Sequence, residues 1–204
     1  MLVLRGAAAL SRFRLQKLSE RLQTAVGANA RIASSFMHFI DTEGELAPRQ
    51  SEVLAQLLEY GPRAESGGES GGRLFLVAPR PGTVSPWSSK ATDIARNCGL
   101  DRVRRIERGV AYTVELDTAW TEQAASDVAA LLHDRMTQVV FPQLEAAGVL
   151  FAQAEPQPFR RVDVLTGGRD ALSTANSEFG LALSADEIEY LAESFSKLQR
   201  NPTD

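Results

Sequence analysis

A hydroxyl-rich loop between a strand candidate and a helix candidate is the part of this chain best suited to bind a ligand. Leu74 to Ala78 is a short apolar stretch typical of a strand, and a helix is predicted from about Ser88. The prolines and the glycine between them predict a rigid turn, and such a junction directs backbone N–H groups toward anions. The hydroxyl, Lys and Arg donors suit a phosphate or carboxylate. The side chains here that could face a substrate or a neighbouring domain are Arg80, Thr83, Ser85, Trp87, Ser88, Ser89, Lys90 and Asp93.

A second candidate group is formed by three neighbours near the end of a predicted helix: His133, Asp134 and Arg135. They could join the loop in recognising an anion. Cationic side chains at the carboxyl end of a helix are also favoured by its dipole without any function. The residue types alone favour this second interpretation.

Catalysis by this chain alone is not indicated by its remaining reactive side chains. His38 lies in an apolar strand candidate and is predicted to be a core or edge histidine. Cys98 lies at a helix end, where the dipole disfavours a thiolate. Asp186, Glu187 and Glu189 lie in the first turn of a predicted helix, where carboxylates are favoured structurally. The sequence therefore shows no metal-ligand set, no paired nucleophile and base, and no nucleotide-binding loop.

Composition favours an ordinary globular protein with no nucleic-acid or membrane partner. The 204 residues are 44% hydrophobic and 24% charged, with a formal net charge of −4 and one cysteine. The basic pairs Arg104-Arg105 and Arg160-Arg161 are predicted on the surface and are too sparse for a nucleic-acid interface. The apolar start is followed by basic residues, the reverse of a secretory signal, so we expect a cytoplasmic location.

The order of predicted elements repeats along the chain. Residues 1–60 and 73–135 each read strand, helix, strand, helix, with Leu74 following Leu2 at a lag of about 72 residues. This predicts an α+β fold of two fused halves, and a doubly wound parallel sheet is the alternative. Residues 63–73 are predicted to be a flexible linker.

The individual elements follow from periodicity and capping residues. Gly109 predicts a bulge or turn inside a long strand. A pair of helices is predicted near the end of the chain, the first ended by Gly180 and the second opened by a Ser184–Glu187 capping box. Strands are predicted at Leu2–Leu4, 31–41, Leu74–Ala78 and Arg102–Leu116, and helices at Leu10–Val26, from Pro48, at Ser88–Asn97, after Thr121 and at Gln143–Gln153.

Several strings, in the same order, resemble the large single-chain phosphoribosylformylglycinamidine synthases. They are Tyr60-Gly-Pro62, Pro79 to Leu100, Arg105 to Tyr112, His133 to Thr137, Leu172 to Leu191 and Lys197 to Pro202. The resemblance implies that residues 1–141 form a domain like two fused copies of a small synthase subunit. It further implies a connector at 142–166 and a helical linker domain at 167–204.

The resemblance also implies a function for the complete enzyme. Such a ligase uses ATP, magnesium and glutamine, the amido donor, to convert formylglycinamide ribonucleotide into formylglycinamidine ribonucleotide. The present chain would then be an N-terminal fragment that is inactive alone, holds no cofactor and contacts the synthetase and glutaminase domains of the same polypeptide. A small-anion-binding regulatory module and a purely structural adaptor are the alternatives.

Overall fold

One antiparallel sheet of five strands forms the framework of residues 1–154, the first of two compact units in a computed structural model. The structure describes residues 1–61, 72–153 and 155–203, so most of the predicted linker at 63–73 lies outside the described residues. The strand order is β1-β2-β4-β3-β5. The strands are β1 (Leu2–Ala8), β2 (Ala30–Thr42), β3 (Arg73–Pro79), β4 (Val103–Leu116) and β5 (Gln138–Phe141).

The two halves of the sheet meet at its centre. The long strands β2 and β4 pair antiparallel from Ala30 opposite Leu116 to Ile40 opposite Ile106. Strand β1 pairs antiparallel with β2 on its outer side, and β3 pairs antiparallel with β4 on its outer side. Each half of the chain therefore contributes one antiparallel pair of strands to the sheet. The predicted α+β fold of two strand-helix halves is confirmed, and the parallel alternative is wrong. The sequence missed β5, because four residues before Pro142 are too few to show a period.

Among the described residues, four α-helices cover one face of this sheet, and a 3-10 helix packs on the other. Ser11, Ser85 and Thr121 cap the first, third and fourth helices through their side-chain oxygens. The third helix begins two residues before its predicted start, because Pro86 suits the first helical position. The helices are α1 (Arg12–Val26), α2 (Pro48–Leu58), α3 (Pro86–Asn97) and α4 (Glu122–Leu132), followed by a 3-10 helix at Glu145–Phe151.

The core of the first unit lies on both faces of β2. Ala30 and Ile40 are ten residues apart and therefore share a face, which α1 and α4 cover at one end and α2 and α3 at the other. Phe39 points to the opposite face, where it packs with residues of the 3-10 helix. The core therefore consists of three clusters of buried residues. The cluster under α1 and α4 includes Leu22, Val114 and Val128, and the cluster under α2 and α3 includes Leu54, Ala95 and Leu100. The cluster on the opposite face includes Leu76, Ala147 and Leu150.

Two local predictions are wrong. Gly109 makes no bulge: it lies in regular register opposite Met37, and a methyl group there would be 2.9 Å from the carbonyl oxygen of Val77. Close approach of β3, rather than a turn, therefore requires glycine. The helix predicted at Gln143–Gln153 is the shorter 3-10 helix, because Gly148 at its centre weakens an α-helix.

The second unit, residues 155–204, contains the predicted helix pair. Helices α5 (Val164–Phe179) and α6 (Ala185–Lys197) bury Val164, Leu172 and Ile188 against each other. The Gly180 stop, with φ of 65°, and the Ser184–Glu187 capping box are confirmed. The boundaries predicted at 141/142 and 166/167 stay predictions. None of the described helices is long and apolar enough to cross a membrane.

Candidate functional site

The hydroxyl groups of the loop before α3 are largely occupied by internal hydrogen bonds. Ser85 Oγ accepts the backbone N–H of Ser88 at 3.0 Å and donates to Glu107 Oε2 at 3.2 Å. Thr83 Oγ1 donates to the carbonyl of Arg80 at 2.7 Å, and Ser89 Oγ donates to that of Ser85 at 3.5 Å. Ser88 is fully buried, and its hydroxyl is the exception, with no hydrogen-bond partner among the described residues. These side chains therefore shape the loop and cap the helix.

An ion pair beneath the loop holds it in place. Arg105 pairs with the fully buried Glu107 through Nε at 3.1 Å and also through Nη2. The same guanidinium donates to the carbonyl of Thr83 at 2.6 Å and to that of Leu150 at 3.1 Å. The expectation that Arg105 lies on the surface is wrong, because the buried carboxylate of Glu107 draws it inward to a side-chain exposure of 22%.

The structure brings Arg80 to the turn that follows α4. The backbone N–H of Arg80 donates to the carbonyl of Thr137 at 3.1 Å, and its guanidinium reaches that of Met136 at 3.5 Å. Asp134 fixes this turn by accepting the N–H of Met136 at 2.8 Å and the hydroxyl of Thr137 at 3.1 Å. The start of the loop and the second candidate group are therefore neighbours.

The other two members of the second group differ in their surroundings. His133 Nδ1 donates to the carbonyl of Ala129 in the last turn of α4, at 2.5 Å. Arg135 is exposed and makes no ion pair with any residue in the described part of the chain. Arg135 is therefore the member of this group whose charge is available.

Lys90 lines a cavity of about 200 Å³ between α2 and α3. It is exposed and has no ion-pair partner within the described ranges. Asp93 lies one turn further along α3 and is also exposed. The rest of the lining is mostly apolar: Leu57, Leu58, Tyr60, Trp87, Ala91, Ile94, Ala95 and Ile106.

Trp87 connects this cavity to a cluster of aromatic and basic side chains. The His38 ring stacks on Trp87 with centroids 5.7 Å apart, and His38 Nε2 bonds the Tyr60 hydroxyl at 2.7 Å. Arg108 Nη1 donates to the same hydroxyl at 3.0 Å. Its guanidinium carbon lies 4.5 Å from the Trp87 ring centre and 4.4 Å from that of Phe36.

His38 is neutral in this cluster. Burial and then the nearby Arg108 charge lower its pKa from 6.5 to about 4, and the Leu4 backbone opposes them. Because a guanidinium cannot accept, the Tyr60 hydroxyl accepts from Arg108 and donates to His38 Nε2. The prediction of a core histidine is confirmed.

Sequence reasoning missed Glu107 and Arg108 as parts of this region. Their signal in the sequence is weak, because β4 also carries Arg104, Arg105 and Glu115, so two further charges do not stand out. Within the described residues, no three His, Cys, Asp or Glu side chains are grouped as a metal site would require. The free thiol of Cys98 is exposed at the end of α3.

Two family models match this chain. The model described as the N-terminal region of formylglycinamide ribonucleotide amidotransferase matches residues 35–151, which include the loop, the cavity and the aromatic cluster. The model described as the linker domain of the same amidotransferase matches residues 172–204, which include the second half of α5 and all of α6. The first match alone covers more than half of the chain.

Proposed function

The chain belongs to the formylglycinamide ribonucleotide amidotransferase family, and on that basis we propose that it is the N-terminal, non-catalytic portion of such an enzyme. Membership of this family implies a role in purine biosynthesis. The complete ligase would use ATP, magnesium and glutamine to convert formylglycinamide ribonucleotide into formylglycinamidine ribonucleotide. In this proposal ATP and magnesium are held by other domains of the polypeptide.

The loop before α3 carries the proposal. Its hydroxyls and the Arg105–Glu107 pair make it rigid, and Lys90 and Arg135 remain as exposed cations without ion-pair partners in the described part of the chain. A rigid loop beside unpaired cations suits recognition of a phosphate or a carboxylate. We therefore propose that the surface of Arg80 to Lys90 and His133 to Arg135 faces the substrate phosphate or the synthetase domain.

The buried polar groups among the described residues support the proposal that this chain positions other domains and takes no part in the chemical step. Glu107 is paired with Arg105, and neutral His38 is bonded to Tyr60 inside the core. Neither group lies at an open surface where it could move a proton to or from a substrate. In this proposal the chain organises the synthetase and glutaminase domains and the path of substrate and ammonia.

The test uses Lys90→Ala and Arg135→Ala in the complete amidotransferase. If the surface faces substrate, KM for formylglycinamide ribonucleotide should rise about tenfold, since a hydrogen bond to a charged group is lost. Lys17→Ala removes an exposed cation from α1 and should leave KM unchanged. Normal kinetics in both variants would refute the proposal that this surface faces the substrate or the synthetase domain.

Kinetics with ammonia supplied in place of glutamine distinguish this proposal from its alternatives. A structural adaptor predicts that the variants lose only glutamine-driven turnover and keep their KM for substrate with ammonia. A regulatory module predicts normal kinetics and tight binding of nucleotides or amino acids to this chain in calorimetry. Raised KM with either nitrogen source supports the substrate-facing role.

A further inference from the structure

The cavity between α2 and α3 has the size of a small ring compound. Its volume is about 200 Å³. A cavity of about 150 Å³ with aliphatic and aromatic walls is known to bind benzene in a protein interior. The present cavity therefore has room for one six-membered ring with a short substituent, and for little more.

The walls of this cavity are mostly apolar. Leu57 and Leu58 line it from α2, and Ala91 and Ile94 line it from α3. Ile94 is 44% exposed, so an apolar side chain at this cavity is left in contact with water. Small-molecule sites are typically concave and mostly apolar, with a few polar groups that orient the ligand. The cavity has this composition.

Two aromatic side chains, Trp87 and Tyr60, complete the walls and are held from outside the cavity. The Tyr60 hydroxyl is engaged by Arg108 at 3.0 Å and by His38 at 2.7 Å. The Trp87 ring stacks on His38 and lies 4.5 Å from the guanidinium carbon of Arg108. Neither His38 nor Arg108 lines the cavity. Walls that are fixed before a ligand arrives lower the entropy cost of binding it.

Lys90 supplies the charge at this cavity. Among the described residues that line it, Lys90 alone is charged, and it has no ion-pair partner in the described part of the chain. An amine ligand would find no acidic side chain on these walls. One cation beside an apolar cavity matches a ligand that combines a ring with a single negative charge.

We propose that this cavity binds a small aromatic monocarboxylate, with the ring between α2 and α3 and the carboxylate at Lys90. The apolar walls give an anion nothing to replace its water, so the ring enters the cavity and the charge stays at its mouth. The inference goes beyond the proposed function, which uses Lys90 at the surface and assigns nothing to the interior of the cavity.

The test measures binding of benzoate to the full chain by tryptophan fluorescence. The background variant Trp120→Phe leaves Trp87, which lines the cavity, as the single tryptophan. We expect a saturable change with benzoate, with a Kd of about 1 mM or below, and none with acetate, which lacks the ring. Benzyl alcohol, which is uncharged, should bind about three- to tenfold more weakly than benzoate, and benzylamine at least about tenfold more weakly.

Two variants with matched controls locate the site. Ala91→Leu fills the cavity with a side chain that favours a helix, so it should abolish saturable binding. Ala130→Leu makes the same change at an exposed position of α4 and should bind as the background does. Lys90→Gln should weaken benzoate binding about three- to tenfold, whereas Lys17→Gln should leave it unchanged.

Several outcomes would overturn the inference. They are the absence of saturation with benzoate, equal binding by Ala91→Leu and Ala130→Leu, or equal binding by Lys90→Gln and Lys17→Gln. Benzyl alcohol binding as tightly as benzoate would also overturn it, and would assign the cavity to an uncharged apolar group such as a side chain of a partner protein. A raised KM in the complete Lys90→Ala enzyme without benzoate binding to this chain would remove the site and leave the proposed function standing.

Discussion

Replacing Glu107 with glutamine tests how the loop before α3 is held. The substitution Glu107→Gln keeps the side-chain volume and removes the negative charge. In the native protein this fully buried carboxylate accepts from Arg105 at 3.1 Å and from Ser85 at 3.2 Å. A glutamine side chain has one acceptor oxygen and introduces N–H donors into the same place. Arg105 would lose its countercharge.

The size of the effect follows from burial. Removing one partner of a buried ion pair costs about 3–5 kcal/mol, because the other charge stays without compensation. Arg105 keeps two carbonyl acceptors and some solvent access, so we expect a smaller loss than this, about 2–3 kcal/mol. The Arg31–Glu115 pair provides a control on β2 and β4, with Arg31 88% exposed. Glu115→Gln should cost about 0.5 kcal/mol or less.

Urea unfolding followed by tryptophan fluorescence measures both variants. The two tryptophans, Trp87 and Trp120, lie in the first unit, so this signal reports the sheet domain alone. With a slope of about 1–3 kcal/mol per molar urea, Glu107→Gln should lower the midpoint by roughly 1 M or more, and Glu115→Gln by much less. Equal shifts in the two variants would refute the argument that burial makes this pair hold the loop.

Two further predictions concern the core. Gly109→Ala should cost about 1–3 kcal/mol in urea unfolding, because its methyl would lie 2.9 Å from the Val77 carbonyl oxygen. Gly148→Ala, which meets no atom within 4 Å, should cost under about 0.5 kcal/mol, and equal losses would contradict the close-approach argument. The free energy of unfolding should also fall by up to about 3 kcal/mol as pH drops from 6.5 to about 4. In this range His38 is protonated in the unfolded chain, whereas it stays neutral when buried in the folded protein. Urea unfolding at several pH values in this range should show that the free energy of unfolding depends less on pH in His38→Phe than in the native protein. The same dependence in both proteins would contradict the burial of His38 in its neutral form.

The fold was predictable where local signals are strong. The alternation in β4, the caps Thr121 and Ser184 and the stop at Gly180 each depend on neighbouring residues, and the structure contains all of them. Strand direction was not predictable, because a helix between two strands permits either parallel or antiparallel pairing. The partners across the sheet centre, such as Phe36 and Val110, are far apart in sequence.

The sequence showed which residue types line the candidate site, but not which contacts each side chain makes. The loop hydroxyls suggested ligand contacts, but Ser85 donates to Glu107, which lies 22 residues further along the chain. Arg108 and Phe36 belong to different halves of the sheet, so nothing local pairs them. Such contacts depend on the register of β2 against β4, which is set by the whole sheet.

The division of charges in this region supports the recognition role that we propose for the loop. A buried ion pair is weak evidence for stability, since apolar residues of the same volume often serve equally well. The Arg105–Glu107 pair does something that apolar residues could not, because its donors and acceptors bond Thr83, Ser85 and Leu150 at once. It therefore fixes the start of α3, and with it the positions of Trp87 and Lys90. The backbone that carries Lys90 would then need no further ordering on binding an anion, so the internal pair supports the proposed role of this surface.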